Sequence, residues 1–207
     1  MLTLVGYYWP SLSLVYLFKP LATLFLVLIA LLRWIRSRSA YSLWIAIGLA
    51  FSLVGDILLI RPNQFFLPGL LAFLLAHVAY LIAFTRDCKF PPRSLIFLAY
   101  LIASAGFYVV LFPTLPLGLR IPVAVYAALL STMASQAMGR FLLLRIEPAR
   151  WAAFGALFFM ASDLLLACHH FRRPLLYSAV LILVPYYTGQ CLIAWSTSSL
   201  HAAARSR

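Results

Sequence analysis

An all-α, polytopic transmembrane helical bundle is the fold class that this 207-residue sequence predicts, on three observations. Hydrophobic residues make up 65% of the chain, and its mean hydropathy is +1.02 with only 10% charged residues. A soluble globule of this size keeps a more polar exterior, so the surrounding solvent is read as lipid. Apolar runs near 20 residues recur along the chain, the length a helix needs to cross a hydrocarbon core about 30 Å thick. The short alternating segments expected of a membrane β-barrel are not seen.

Seven spans follow in order, near 12–34, 41–60, 66–85, 94–112, 119–140, 151–170 and 175–196. The connectors are short and rich in turn and breaker residues: RSRSA, RPNQ, RDCKFPPR, FPTLPLG, RIEPAR and HHFRRP. No connector is long enough to divide the chain, which reads as a single integral membrane domain over 1–207. The opening MLTLVGYYWP is too short to cross a bilayer and lacks the pattern of a cleaved signal peptide.

The net charge of +12 does not point to nucleic acid, because the basic residues lie in short loops between apolar runs. Their distribution instead sets an orientation. Arg33, Arg36, Arg38, Arg86, Lys89, Arg93, Arg140, Arg145, Arg150, Arg205 and Arg207 fall on one side. Lys19, Arg61, Arg120, Arg172 and Arg173 fall on the other. The larger group is expected to be cytoplasmic, which puts the C-terminus inside a cell inner or plasma membrane. Three cysteines, Cys88, Cys168 and Cys191, form no Cys-x-x-Cys pair and read as free thiols.

Four acidic residues carry most of the information. Asp87 and Glu147 fall in loops beside basic residues, where solvated ion pairing accounts for them. Asp56 and Asp163 fall inside apolar spans, where an ionised carboxylate costs about 2.5–3.5 kcal/mol even on lenient insertion scales. Both lie about 20 Å from the cytoplasmic ends of their helices, at 1.5 Å per residue. They are therefore expected to meet across a helix contact, helped by small neighbours: Gly48 and Ser52 for Asp56, Gly155 and Ser162 for Asp163. Their surroundings share the pattern F-x-x-x-[GS]-D-x-L-L from Phe51 and Phe158, which is compatible with a parallel internal duplication or with chance.

Other polar groups come to a similar depth. His77 and Tyr80 share a helix face in AHVAY, Tyr126 lies in the fifth span, and Tyr186, Tyr187 and Gln190 lie in PYYTGQ. Lys19, in FKPL, either snorkels to the outer interface or pairs with a carboxylate. Such groups are untenable facing lipid, so they should line an internal cavity. Cys168, His169 and His170 have metal-ligand side chains, but adjacent helical positions point about 100° apart. Several roles fit the aspartates on the residues alone. They can do acid–base chemistry, bind a proton or cation in a transporter or lipid carrier, join His77 in a metal site, or tie helices together.

The segments FKPL, GD followed by two leucines, AHVAY, SDLLLA and PYYTGQCLIA occur in this order between about Leu17 and Trp195. In that order and spacing the chain resembles the YhhN family of membrane proteins, which includes lysoplasmalogenases. The family usually has eight spans, with one helix upstream of the lysine–proline motif, where this chain has only a stub. The resemblance implies hydrolysis of the vinyl ether bond of a lysophospholipid, drawn from membrane lipid, to a fatty aldehyde and a glycerophospho head group. It implies no cofactor and no metal. Asp56 and Asp163 would be the acid and the base, as two carboxyls are around the oxocarbenium-like state of glycosidases. His77, Tyr80, Tyr126, Tyr186, Tyr187 and Gln190 would orient water or substrate, and Lys19 or Arg61 would hold the phosphate.

Overall fold

The computed structural model describes residues 12–197, and within them every regular element is helical. The opening stub, Arg205 and Arg207 lie outside the described residues. The helices are α1 Leu12–Ser37, α2 Ala40–Leu58, α3 Pro62–Phe84, α4 Ser94–Leu111, α5 Leu117–Leu144, α6 Glu147–Phe171 and α7 Ser178–Trp195. A single 3₁₀ turn, Phe112–Thr114, follows α4. All seven helices are long and apolar enough to cross a membrane.

Local chemistry explains several boundaries. α3 and α6 carry Pro62 and Pro148 in the first turn, where a missing N–H costs nothing because that donor has no helical partner. Glu147 adds a negative charge at the positive end of α6. At the far end of α5 the helix stops on Arg145, a left-handed C-cap with φ 53°.

α5 continues past the expected limit at 140, and the reason is Arg140. This residue was read as a loop cation, yet it is fully buried within α5. Its Nε and Nη2 donate to the two oxygens of Asp87 at 2.7 and 2.6 Å, and its guanidinium lies 4.9 Å from the centre of the Tyr41 ring. Asp87 is thus not in loose solvated pairing. The bidentate bridge ties the α3–α4 connector to α5, and a bidentate Arg–carboxylate pair holds a geometry that a surface pair does not.

Packing arranges α1, α2, α3, α5, α6 and α7 into a ring closed by α7 against α1, with α4 applied to the outside of α5. The bundle turns apolar side chains outward: Ile102 and Val109 of α4 and Leu117 and Ile121 of α5 are all exposed. Its interior holds Thr23, Ser52, Asp56, His77, Gln136 and Gln190, all fully buried. This inversion suits a lipid solvent. Small residues set the closest approaches. A Cβ on Gly189 would come within 2.8 Å of the Gly155 carbonyl oxygen, and one on Gly155 within 2.9 Å of the Gly189 oxygen. A Cβ on Gly48 would strike the Tyr80 ring.

Candidate active site

Asp56 sits near the end of α2, fully buried, and side chains from two other helices, α1 and α7, meet its carboxylate. Lys19 of α1 brings Nζ to 3.4 Å from Oδ1. Thr23, one turn further along α1, donates its hydroxyl to Oδ2, and Tyr186 of α7 donates to the same oxygen at 2.8 Å. Lys19 therefore pairs rather than snorkels. Tyr187 donates to the Lys19 carbonyl at 3.0 Å and so braces the backbone that carries the ammonium.

From Tyr186 a chain of hydrogen bonds leads deeper. Gln190 donates through Nε2 to the Tyr186 hydroxyl at 3.2 Å, and its Oε1 accepts from Tyr80 at 2.8 Å. The Tyr80 and Ser52 hydroxyls are 3.4 Å apart. Four of the polar residues singled out in the sequence thus form one network behind Asp56, with each phenol and amide satisfied by the next.

Asp163, on α6, has a different environment. Tyr126 of α5 donates to Oδ2 at 2.6 Å, and His77 Nε2 of α3 lies 4.0 Å from the same oxygen. The His77 ring is fully buried between Tyr126 and Phe159, with centroid distances of 5.1 and 4.9 Å, and among the described residues neither ring nitrogen has a hydrogen-bond partner. Among the described residues no lysine or arginine comes within ion-pair distance of Asp163. One carboxyl faces a cation and two hydroxyls; the other faces a phenol and an imidazole.

The two aspartates line one cavity of about 280 Å³, together with Lys19, Tyr186, Ser162 and His169. They do not meet directly. In place of the expected contact, α2 and α6 are not ring neighbours, with Asp56 held by α1 and α7 and Asp163 facing α3 and α5. Asp163 also borders a second, apolar cavity. Arg61 is exposed at the N-cap of α3 and does not line the chamber. Among the described residues no three His, Cys, Asp or Glu side chains gather as metal ligands, so His77 and the aspartates do not form a three-ligand group.

Sequence 14–197 matches the YhhN family. The chain belongs to that family. It is 39% identical to the Homo sapiens protein named Lysoplasmalogenase TMEM86A over 160 residues, which is 73% of this chain and 64% of that protein. Similarity to Lysoplasmalogenase TMEM86B of Sus scrofa is 32% over 173 residues, covering 84% and 71% of the two chains. A Mycobacterium tuberculosis protein named Lysoplasmalogenase is 38% identical over 136 residues, 62% of this chain and 50% of that one. The chain thus spans a little under two thirds of its human TMEM86A relative. No solved structure matches it.

Thr23 escaped the sequence reading of this YhhN site, and His169 was noticed there only for its metal-ligand side chain. Thr23 is four positions after Lys19, and that helical spacing alone puts both on one face. His169 lines the chamber, and its Nδ1 accepts the backbone N–H of Leu175 at 2.9 Å, which leaves Nε2 as the N–H donor of the neutral ring. Nothing in the order of residues foretold that bond, because it depends on how 172–175 folds back over the helix end.

Proposed function

We propose that this chain is a membrane-embedded lysoplasmalogenase, hydrolysing the vinyl ether of an alkenyl lysophospholipid to a fatty aldehyde and a glycerophospho head group. The observation that carries the reading is the unequal pair of carboxyls on one chamber, Asp56 matched by Lys19 and Asp163 without a cation. The names borne by the human, pig and mycobacterial relatives support the same reading.

The chemistry needs a positioned acid. Asp163 donates its proton to the β-carbon of the vinyl ether, and the C=C electrons form the new C–H bond. The α-carbon and ether oxygen then share the positive charge of an oxocarbenium ion. Asp163, now a carboxylate, takes a proton from water as the water oxygen bonds to the α-carbon. The resulting hemiacetal loses its hydroxyl proton, its C–O bond to glycerol breaks, and the departing oxygen picks up a proton. Aldehyde and glycerophospho head group leave, with one water consumed. One carboxyl acting first as acid and then as base follows the logic of glycoside hydrolysis.

Asp56 serves this cycle differently. Its side chain is only 1% exposed, so it acts as a fixed negative charge beside the chamber rather than as the group that touches carbon. Such preorganised charge favours the oxocarbenium ion in a water-poor site. Lys19 and the Tyr186–Gln190–Tyr80 network hold that charge in place. His169 Nε2 and the free hydrogens of Lys19 are the head-group donors within the chamber. The excess of Arg and Lys supports a cytoplasmic side for the 85–93 and 145–146 connectors and the C-terminus.

Purified protein incubated with alkenyl, alkyl and acyl lysophospholipids tests the assignment. Aldehyde release from the alkenyl lipid alone is expected. Lipid uptake into vesicles without aldehyde would replace the hydrolase with a carrier.

A further inference from the structure

The second cavity that Asp163 borders is a thin slot of about 70 Å³ between α3, α4, α5 and α6. Phe107, Leu111, Ala127, Leu130, Met160 and Leu164 form much of its wall. Its polar groups are already committed. Ser104 donates to the Ala127 carbonyl at 3.0 Å, Ser131 to Ala128 at 3.0 Å, Tyr108 to Arg120 at 3.0 Å, and Tyr126 to Asp163 at 2.6 Å. With these hydroxyls spent on the protein, the slot offers a ligand hydrocarbon contact and the Asp163 carboxyl, and little else. A head group placed there would lose its water without replacement.

Two shared residues stand between the slot and a crevice on the bilayer side. Leu70 and Tyr126 line both the slot and a crevice of about 190 Å³ between α3 and α5. The crevice is also walled by Leu71, Ile121 and Val125, all exposed on the lipid-facing surface. Lipid, crevice, slot, Asp163 and polar chamber therefore lie in sequence.

We propose that the slot is the subsite for the aliphatic chain of the substrate. It takes the methylenes next to the reacting double bond as a single unbranched file, and the remaining chain passes between α3 and α5 into the bilayer. The inference rests on the vinyl ether reading above and adds to it a selectivity: branching close to the double bond is rejected, whereas length beyond the slot is tolerated. A volume of about 70 Å³, lined mostly by apolar side chains of four helices, suits the first methylenes of a chain.

The test uses a saturated alkyl ether lysophospholipid, which has no vinyl ether to cleave, carrying a diazirine on one of the first carbons of its chain. Photolysis with the whole protein in nanodiscs, followed by peptide mass spectrometry, is expected to label Phe107, Leu130 and Met160. A probe with the diazirine at the chain terminus is expected to label the crevice or the lipid face instead. Ala127→Phe and Phe107→Trp, two substitutions on different helices, should each cut slot labelling by about tenfold or more, a factor equivalent to 1.4 kcal/mol. Thermal unfolding identifies which variants are folded, and the wild-type labelling map decides the matter if neither is. Label confined to outward residues such as Leu98, Ile102 and Val109 overturns the proposal, as does slot labelling that neither folded variant reduces. Slot labelling by a protein that releases no aldehyde from alkenyl lipid overturns the hydrolase reading and leaves the slot standing.

Discussion

At the level of single residues the two carboxyls differ in their partners: Asp56 is matched by Lys19, whereas Asp163 is met by Tyr126 and His77. Asp163→Asn keeps the size and the Tyr126 contact but cannot donate an acidic proton. It is expected to lower kcat by about 10²–10⁴-fold with an unchanged unfolding temperature, measured by aldehyde release and thermal melting. Asp56 belongs to a buried pair, and removing one partner of such a pair costs about 3–5 kcal/mol because the other charge is stranded. Lys19→Met should therefore destabilise the protein strongly. The double variant Lys19→Met/Asp56→Asn should recover much of that stability without recovering activity, a combination that separates charge compensation from catalysis. The aspartates, His77, Tyr126 and the Tyr186–Gln190 pair were legible because polar side chains in hydrocarbon stand out against their background. How they divide into two groups was not, since that depends on which helices are neighbours.

At the level of elements, the α6–α7 contact sets the geometry. Gly155 and Gly189 bring two backbones close enough that either Cβ would press on the other helix, and this contact supports Tyr186 on one side and Asp163 on the other. Gly189→Ala is expected to cost about 1–3 kcal/mol through overpacking, read as a lowered unfolding temperature. The same substitution at Gly106, where a Cβ meets nothing within 4 Å, should be nearly silent. Arg140 gives a second example. Asp87→Asn leaves a buried guanidinium with half its partner, and about 3 kcal/mol of stability should go with it, a value kept low because Asp87 itself is 37% exposed. The run of apolar residues marked each helix well, yet it ended α5 at Arg140, because an arginine beside a connector looks like a solvated charge. Only the position of Asp87, on the neighbouring α3–α4 connector, shows otherwise. Gly155 was noticed as a small neighbour of Asp163; its partner Gly189 lies on another helix, and no local pattern links the two.

Across the whole molecule the sequence conveyed the class of solvent and the seven helices of the described residues, because hydropathy and length are summed over many residues and survive local errors. The ring with α4 outside it was not legible, and neither were the cavities it encloses. Those arise from helix-to-helix fit, and every helix here is apolar enough to have been placed elsewhere. The same arrangement gives the account its chemical direction, from lipid through the crevice and slot to Asp163, then to the chamber that holds Asp56 and Lys19.

Turnover of an alkenyl lysophospholipid in deuterated water tests the central claim most directly, because proton delivery to carbon leaves a permanent mark. The wild-type protein is predicted to release fatty aldehyde carrying one deuterium on the carbon next to the carbonyl, and Asp163→Asn is predicted to release almost none. Aldehyde formed without that deuterium, or undiminished release by a folded Asp163→Asn protein, would contradict it.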